Sequence, residues 1–291
     1  MTLEGTNSYL IRAGENSVIA VDPGPAIDEH IDALAYAASA QHARIAGILV
    51  THGHPDHAPG AQHLAVRTGA PVYAHANATF PHDRSLADEE ELRFEETTIV
   101  AYDAPGHTFD HLVFLLREER ALFTGDVILG RGTVVIAPPG GAMRPYLATL
   151  SRLRDALPAL ERIYPGHGPV VDEPAAKIAQ YVEHRMQRER EILARLEWGA
   201  ATVPELVRDI YAALDRRMWP AAGRQIVAYL IALENEGRVR STPLDRGPTA
   251  DETAILNPDL RSIVDPHEAA VARAELGFDR AAPLQSYALL P

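Results

Sequence analysis

The sequence predicts an α/β protein of two units, a layered sandwich followed by a small helical domain. Over the first 170 residues or so, short β-branched runs alternate with glycine and proline turns and with amphipathic helices. A long charged helical segment and two short helices follow. With 291 residues and 46% hydrophobic content, the chain is long enough to bury the core of one large and one small domain.

The first unit contains eight apolar or β-branched runs that end at turn residues, as strands do. These candidate strands are Ser8-Ile11, Ser17-Val21, Ile45-Val50, Val72-Ala74, Thr98-Tyr102, Leu112-Leu116, Ala121-Thr124 and Arg162-Tyr164. Between them, apolar residues recur at helical spacing from Ile27 to Ala38 and from Leu147 to Leu157. Each of these two segments is therefore predicted to be a helix with one buried face.

The second unit begins after a long connecting helix, predicted from Val171 to about Trp198. Thr202 and Glu205 have the spacing of a capping box, which predicts a short helix that runs to about Leu214. A second short helix is expected from about Ala221 to Glu236, where Gly237 ends it. With Arg238-Val239-Arg240 after them, the two helices resemble a winged helix.

Domain boundaries follow from these patterns. We expect a sandwich domain over residues 1–172, a connecting helix over 173–200 and a winged-helix-like domain over 201–243. The remaining tail, residues 244–291, contains prolines among scattered acids, so we expect it to wrap the surface irregularly.

Composition excludes several classes of protein. The chain has no cysteine, so disulfides, thiolate metal sites and cysteine nucleophiles are absent, and His, Asp and Glu remain as the strong metal ligands. The net charge of −13 argues against a non-specific nucleic-acid coat. No apolar run is long enough to span a membrane and no signal peptide is evident, so we expect a cytoplasmic protein without a membrane partner.

The strongest functional signal is the run His52-Gly53-His54-Pro55-Asp56-His57, which directly follows a candidate strand. A chance match to this pattern in such a chain has odds of roughly one in a thousand. Three further signals, each beside a glycine at the end of a candidate strand, follow in order: Gly106-His107, Gly125-Asp126 and Gly166-His167.

Together these segments supply five imidazoles and two carboxylates, which suffice for two divalent metal ions that share one carboxylate. Zinc is the default ion, and manganese and iron accept the same ligands. Glycine beside each candidate ligand would let the backbone bend and approach closely.

The ordered motifs resemble the signature of the metallo-β-lactamase superfamily over roughly residues 1–172. The resemblance implies a four-layer αββα sandwich with two mixed sheets and a site along one edge. It also implies the ligand roles, with one metal at His52, His54 and His107, the other at Asp56, His57 and His167, and Asp126 as the bridge.

Two weaker candidates surround this site. Asp22, in Val21-Asp22-Pro23-Gly24, matches a recurrent turn of the superfamily and could orient a ligand imidazole by a hydrogen bond. The alternative is a simple Asx turn before a helix. His111 fits the family pattern as a residue that lies near the metals without necessarily ligating them.

Further motifs are similar to the group of beta-lactamase-like protein 2 and its bacterial relatives, which add a winged helix. They include Gly5-Thr6-Asn7-Ser8-Tyr9 and His184-Arg185. Since relatives usually have a strand before Met1-Thr2-Leu3, the true start could lie upstream.

The predicted reaction is hydrolysis by a hydroxide that bridges two metal ions, with Asp126 and Asp56 as catalytic carboxylates and Asp56 as a proton shuttle. β-Lactam cleavage is not expected. The chain has no cysteine ligand, and the one β-lactamase class without such a cysteine lacks a carboxylate like Asp126. The first hypothesis for the substrate is a small-molecule ester, thioester or lactone.

The alternative substrate is single-stranded RNA, cleaved by a metal-dependent endoribonuclease. The segment Val203-Pro243, however, contains six arginines and five acidic residues, so its charge is nearly balanced. The winged helix therefore lacks a basic recognition surface. A third hypothesis is a non-catalytic winged-helix scaffold, against which the seven retained ligands argue. The winged helix and the tail are the surfaces where we expect contacts in a homo-oligomer.

Overall fold

The computed structural model describes residues 5–157, 159–257, 270, 273 and 284–290. Its first five-stranded sheet contains, in order, β1 (Tyr9–Gly14), β2 (Ser17–Val21), β3 (Arg44–Leu49), β4 (Val72–His75) and β5 (Arg84–Leu86). β1 is antiparallel to β2, and β2 to β5 are parallel to one another. The sheet is therefore mixed, as predicted.

The second five-stranded sheet is also mixed. In order across the sheet it contains β6 (Glu90–Phe94), β7 (Thr97–Asp103), β8 (Leu112–Leu116), β9 (Ala121–Gly125) and β10 (Arg162–Pro165). β6 to β9 are antiparallel neighbours, whereas β9 and β10 are parallel.

Two pairs of helices cover the outer faces of the sheets. They are needed because successive residues of a strand such as β2 point to opposite faces of the sheet and are buried on both. In β2, Ile19 and Val21 pack in the core between the sheets, and Val18 and Ala20 pack on the opposite side with Ile31. Helices α1 (Asp28–Ser39) and α2 (Gly60–Thr68) pack on the first sheet, and α3 (Met143–Ala156) and α4 (Pro174–Glu197) contribute to the core beside the second. The four-layer αββα prediction is confirmed.

The second domain is a small helical unit with a three-stranded sheet. It contains β11 (Ala201–Thr202), α5 (Val203–Ile210), α6 (Trp219–Asn235), β12 (Val239–Pro243), α7 (Ala250–Leu256) and β13 (Gln285–Leu289). β13 lies between β11 and β12 and is antiparallel to both. Buried side chains of α6, Ile226 and Tyr229 among them, belong to the same core cluster as Tyr181 of α4.

The predicted capping box is present, because the Thr202 side chain accepts from the Glu205 backbone and the Glu205 side chain accepts from the Thr202 backbone. The helix after it ends at Ile210 rather than at about Leu214. A 3₁₀ turn at Arg216–Met218, capped by Asp215, then leads into α6.

The prediction of an irregular tail is wrong for two segments. Residues Ala250–Leu256 form a helix that starts at an unpredicted capping box of Thr249 and Glu252. Residues Gln285–Leu289 form a strand, since two partner strands satisfy its backbone and bury Tyr287. The rest of the predicted tail, residues 258–269, 271–272, 274–283 and 291, lies outside the described residues.

In the sandwich domain three short elements were not predicted, namely α2, β5 and β6, because their sequences mix polar and apolar residues without a clear period. Within the part of the chain that the structure describes, no helix is long and apolar enough to cross a membrane.

Candidate metal centre

Three imidazoles converge at one edge of the sandwich, and we call them the histidine triad. His52 and His54 lie in the turn after β3, and His107 lies in the loop after β7. The Nδ1 atom of His54 is 2.9 Å from His52 Nε2 and 3.1 Å from His107 Nε2. Nitrogen ligands of one tetrahedral zinc ion, each about 2.0–2.1 Å from the metal, would lie about 3.3 Å apart. The histidine triad has the dimensions of one metal site.

A second group, the carboxylate triad, lies beside it. Asp56 and His57 come from the same turn, and His167 follows β10. Asp56 Oδ2 is 3.6 Å from His57 Nε2 and 3.2 Å from His167 Nε2, and the two Nε2 atoms are 3.4 Å apart. These distances also match the edges of a metal tetrahedron.

Asp126, directly after β9, lies between the two triads. Its Oδ1 atom is 3.5 Å from His57 Nε2 and 3.4 Å from His167 Nε2. Its other oxygen, Oδ2, is 3.7 Å from His107 Nε2. One carboxylate oxygen therefore faces each triad, which is the placement that a bridging ligand needs.

In four of these histidines an oxygen atom contacts Nδ1, so the other ring nitrogen, Nε2, faces the centre. His57 Nδ1 is 2.8 Å from Asp22 Oδ2, and this contact orients the ring with a buried carboxylate. The Nδ1 atom of His52 lies 3.1 Å from Thr51 Oγ1. The Nδ1 atoms of His107 and His167 donate to the carbonyls of Val135 and Gly5, at 3.1 and 3.0 Å.

The Asp22 side chain reaches well beyond its own turn. Besides contacting His57, its oxygens accept from the Thr51 amide at 2.8 Å and from the Thr51 hydroxyl at 2.7 Å. The residue is buried and has a left-handed backbone, with φ of 47°. Of the two interpretations of Asp22, these contacts support the one in which it positions a ligand.

His111 uses both ring nitrogens away from the metal centre. Its Nδ1 donates to the Leu112 carbonyl at 2.9 Å, and its Nε2 accepts from the Asp126 amide at 3.1 Å. The ring stacks on His52, with centroids 4.5 Å apart. Burial lowers the pKa of His111 to about 3, so the ring is neutral. The structure places it beside the ligands as a support for Asp126 and His52.

The amino-terminal segment contributes contacts that the sequence did not assign. The Thr6 hydroxyl donates to Asp56 Oδ2 at 3.0 Å, next to the Gly5 carbonyl that holds His167. The Asn7 amide group donates to the carbonyls of Pro165 and Gly168 at 3.0 and 2.8 Å, on either side of Gly166-His167. The signal that could have found them is the motif Gly5-Thr6-Asn7-Ser8-Tyr9.

Two glycines are required by the close approach of the ligands. A Cβ atom at Gly166 would lie 2.7 Å from both Asp126 Oδ1 and His57 Cε1. Gly125 has φ of +46°, and a Cβ atom there would lie 2.5 Å from Thr51 Oγ1. At these positions the expected role of glycine beside the ligands is confirmed.

The electrostatics of the two triads differ. Burial lowers the pKa values of His52 and His54 well below the usual range, which leaves their nitrogens free of extra protons. Burial alone would do the same to His57, but Asp56, Asp22 and Asp126 outweigh it and raise its pKa well above the usual range. At His167 burial is likewise outweighed, chiefly by Asp126, and its pKa rises to about 10.

The acidic groups of the centre remain ionised. Burial would raise the pKa of Asp126, but His167 and His57 lower it well below its usual range. The same two histidines also lower the pKa of Asp56 against the effect of burial. Asp56 Oδ1 and Asp126 Oδ1 are buried and have no hydrogen-bond partner among the described residues. In the metal-free chain the protonated rings of His57 and His167 balance these carboxylates. The same donor set suits divalent metal ions, which would take over that role as the protons leave.

Among the described residues, possible metal-ligand atoms that lie within 4.8 Å of one another form the same two triads. His52, His54 and His107 form one candidate metal group, and Asp56, His57 and His167 form another. A third combination, His52 with His57 and Asp126, spans the boundary between them.

Comparison with known families supports the assignment of both domains. Residues 1–167 match the model of the metallo-beta-lactamase superfamily, and residues 202–246 match the beta-lactamase associated winged helix domain. The chain is 36% identical over 220 residues to a beta-lactamase-like protein 2 homolog from Caenorhabditis elegans, which covers 72% of each chain.

Two further similarities extend this picture. An atrochrysone carboxyl ACP thioesterase from Aspergillus chevalieri is 32% identical over 223 residues, covering 73% of this chain and 70% of that protein. The crystal structure of a metallo-beta-lactamase family protein from Thermus thermophilus shares the fold at 22% identity, with a TM-score of 0.67 over 81% of this chain and 91% of that chain. The protein therefore belongs to the metallo-β-lactamase superfamily, as a hydrolase of the branch that carries a C-terminal winged helix.

Proposed function

We propose that the chain binds two divalent metal ions, one at each triad, and hydrolyses a small-molecule ester, thioester or lactone. The observation that carries this proposal is the position of Asp126, with one oxygen 3.4 Å from His167 Nε2 and the other 3.7 Å from His107 Nε2. Zinc is the proposed metal, with manganese and iron as alternatives that use the same ligands.

Bound divalent ions would supply a water nucleophile that is deprotonated near neutral pH and would polarise the oxygen of the scissile bond. The chain's own residues provide the rest. Asp126 fixes the spacing of the two triads. Asp56 keeps Oδ1 without a hydrogen-bond partner among the described residues, and this oxygen is the proposed proton acceptor. Thr6 restrains the same carboxylate through Oδ2.

A thioester is the favoured substrate within this class. The fungal relative is named as a thioesterase acting on an acyl carrier protein, and the similarity covers most of both chains. We do not propose β-lactam cleavage, since the chain has no cysteine ligand and retains the carboxylate of Asp126.

RNA cleavage finds less support in the surface of the winged helix and the connecting helix. Three arginines form ion pairs with acidic side chains, which reduces the positive charge available to a phosphate backbone. The pairs are Arg195 with Asp209 at 2.5 Å, Arg217 with Asp215 at 2.7 Å and Arg238 with Glu189 at 2.8 Å.

The test is a substrate panel with the zinc-loaded or manganese-loaded protein. We expect hydrolysis of S-acyl-N-acetylcysteamine thioesters, loss of this activity in His54→Ala, and full retention in His63→Ala, whose half-exposed side chain lies outside both triads. Single-stranded RNA and a chromogenic cephalosporin should remain intact. RNA cleavage that depends on His54, without hydrolysis of any ester, thioester or lactone, would overturn the proposal.

A further inference from the structure

The chain between β9 and α3 passes both triads, and we call its residues 127–135 the loop segment. The loop segment directly follows the proposed bridging ligand. At its end, the Val135 carbonyl accepts from His107 Nδ1 at 3.1 Å. Earlier in the segment, the Gly130 amide donates to the His167 carbonyl at 2.9 Å. Because the loop segment contacts ligands of both triads, its position affects where those ligands lie.

One face of α4 holds the loop segment by its backbone. Lys177, Tyr181 and Arg185 are four residues apart, so they lie on the same face of the helix. Lys177 Nζ donates to a carbonyl of the loop segment at 3.2 Å, and the Tyr181 hydroxyl accepts from one of its amides at 2.8 Å. Arg185 Nη2 donates to the Val134 carbonyl at 2.6 Å, next to the carbonyl that holds His107.

Arg185 is unusual among these three side chains because its charge is fully buried. Besides the Val134 carbonyl, its guanidinium faces the neutral ring of Tyr146, whose centroid is 5.1 Å away. Its Nε and Nη1 atoms have no hydrogen-bond partner among the described residues. Burial of a charge without an opposite charge is costly, and an apolar side chain of similar volume would pack there at a lower cost. Packing alone therefore does not explain an arginine at this position.

The winged helix packs against the same turn of α4. The hydroxyl of Tyr229, in α6, donates to the Arg185 backbone carbonyl at 3.1 Å. Tyr229 and Tyr181 are fully buried and belong to one core cluster. Since a close-packed core resists small displacements, α6 holds α4 in place and α4 holds the loop segment.

We propose that Arg185 is a positioning residue of the metal centre, and that the winged helix acts on the centre through it. Arg185 holds the Val134 carbonyl, and the next carbonyl, of Val135, then keeps the His107 ring turned with Nε2 toward the metal site. The winged helix keeps α4, and with it Arg185, against the sandwich domain. This inference rests on the proposed binding of metal ions and does not depend on the choice of substrate.

Competition with a chelator for zinc tests the effect of Arg185→Met on each triad separately. In the His167→Ala background only the histidine triad should bind zinc, and Arg185→Met should weaken that binding by about tenfold, the lower end of what loss of an outer partner costs. In the His107→Ala background only the carboxylate triad remains, and the same substitution should leave its affinity unchanged. Arg190→Met is the matched control, since it removes an exposed arginine from the same helix, and it should change neither affinity.

Thermal unfolding of the metal-free chains reports general damage to the fold. Arg185→Met leaves the Val134 carbonyl without its donor, but it also removes a buried charge, and an apolar side chain fills the space. We therefore expect a single unfolding transition at a temperature close to that of the wild type, together with the loss of zinc affinity.

A second variant tests the link to the winged helix and leaves Arg185 in place. Tyr229→Phe removes the hydroxyl that donates to the Arg185 carbonyl but keeps the aromatic packing. We expect it to weaken zinc binding at the histidine triad alone, by about threefold, because only part of the energy of one hydrogen bond reaches the metal site. Arg185→Lys keeps the charge and a donor for Val134, so it should bind zinc more tightly than Arg185→Met.

These affinities need no turnover, so they separate the two proposals. Equal losses at the two triads in Arg185→Met, or no loss at the histidine triad, would overturn the positioning role. If Arg185→Met does not fold, Tyr229→Phe decides alone, and an unchanged zinc affinity in it would overturn the proposal. A wild type that binds no zinc would refute the proposed function itself, whereas zinc binding that none of these substitutions changes would refute only this inference.

Discussion

The histidine triad and the carboxylate triad lie side by side, yet they prepare for a metal in different ways. In the first, burial keeps His52 and His54 neutral, so neither ring carries an extra proton that a metal would have to displace. In the second, nearby carboxylates raise the pKa values of His57 and His167, so protons occupy the nitrogens that a metal would need. The comparison shows that ligand identity alone does not describe a site, because the charge around the ligands decides what a metal must displace.

Asp126 connects the two triads, and its removal should give the largest effect. In Asp126→Ala we expect metal content to fall from two ions per chain to one or none. Activity should fall by more than the roughly 100-fold that loss of an outer hydrogen-bond partner costs. Elemental analysis and thioester hydrolysis would measure both.

A suitable control for that variant is Asp32→Ala, which removes an exposed carboxylate paired with Arg67. It should keep both ions. Two ions per chain in Asp126→Ala would show that the triads bind metal independently of the bridge.

Removal of one ligand from each triad would test whether the triads are separate sites. We expect His107→Ala and His167→Ala each to lose about one ion, but from different triads. With cobalt as a spectroscopic probe, the remaining ion should have only nitrogen and Asp126 ligands in His167→Ala, and an additional Asp56 carboxylate in His107→Ala. Identical spectra for the two singly loaded variants would contradict the assignment of two distinct triads.

The pH dependence of metal binding should also separate the triads. His57 and His167 have raised pKa values, about 10 for His167, so both are protonated near neutral pH in the metal-free chain. Metal binding must release these protons, and the affinity of the carboxylate triad should increase by about tenfold per pH unit for each proton released. His52 and His54, with lowered pKa values, have no such proton to lose.

Competition titrations with a chelator between about pH 6 and pH 8 would measure this difference. We expect one steeply pH-dependent site and one that changes little. The same slope at both sites would remove the electrostatic distinction between the triads.

The sequence was sufficient to predict the parts of the centre that depend on side-chain identity. All seven predicted ligand residues converge, because each follows a strand and the strand ends meet at one edge. The supports of His107 and His167 could not be predicted in this way. They are backbone carbonyls, of Val135 and Gly5, and any residue type can supply a carbonyl.

Long-range pairing explains the main error in the fold. Strand β13 has no strong pattern of its own, and it is ordered by partners about 45 and 85 residues earlier in the chain.

The smallest effect expected from the comparison concerns Asp22, which contacts His57 of the carboxylate triad directly and reaches His52 of the histidine triad only through the Thr51 hydroxyl. Asp22→Asn replaces a carboxylate 2.8 Å from His57 Nδ1 by a neutral amide. Loss of such a partner typically costs about 10–100-fold in metal affinity, because the ligand ring is less basic and less firmly oriented. We therefore expect a loss of this size at the carboxylate triad and little change at the histidine triad, measured by the same chelator competition. Thermal unfolding of the metal-free variant would report any general loss of packing, since Asp22 also accepts two hydrogen bonds from Thr51. An equal loss of affinity at both triads would mean that Asp22 acts on the whole edge of the sandwich rather than through His57.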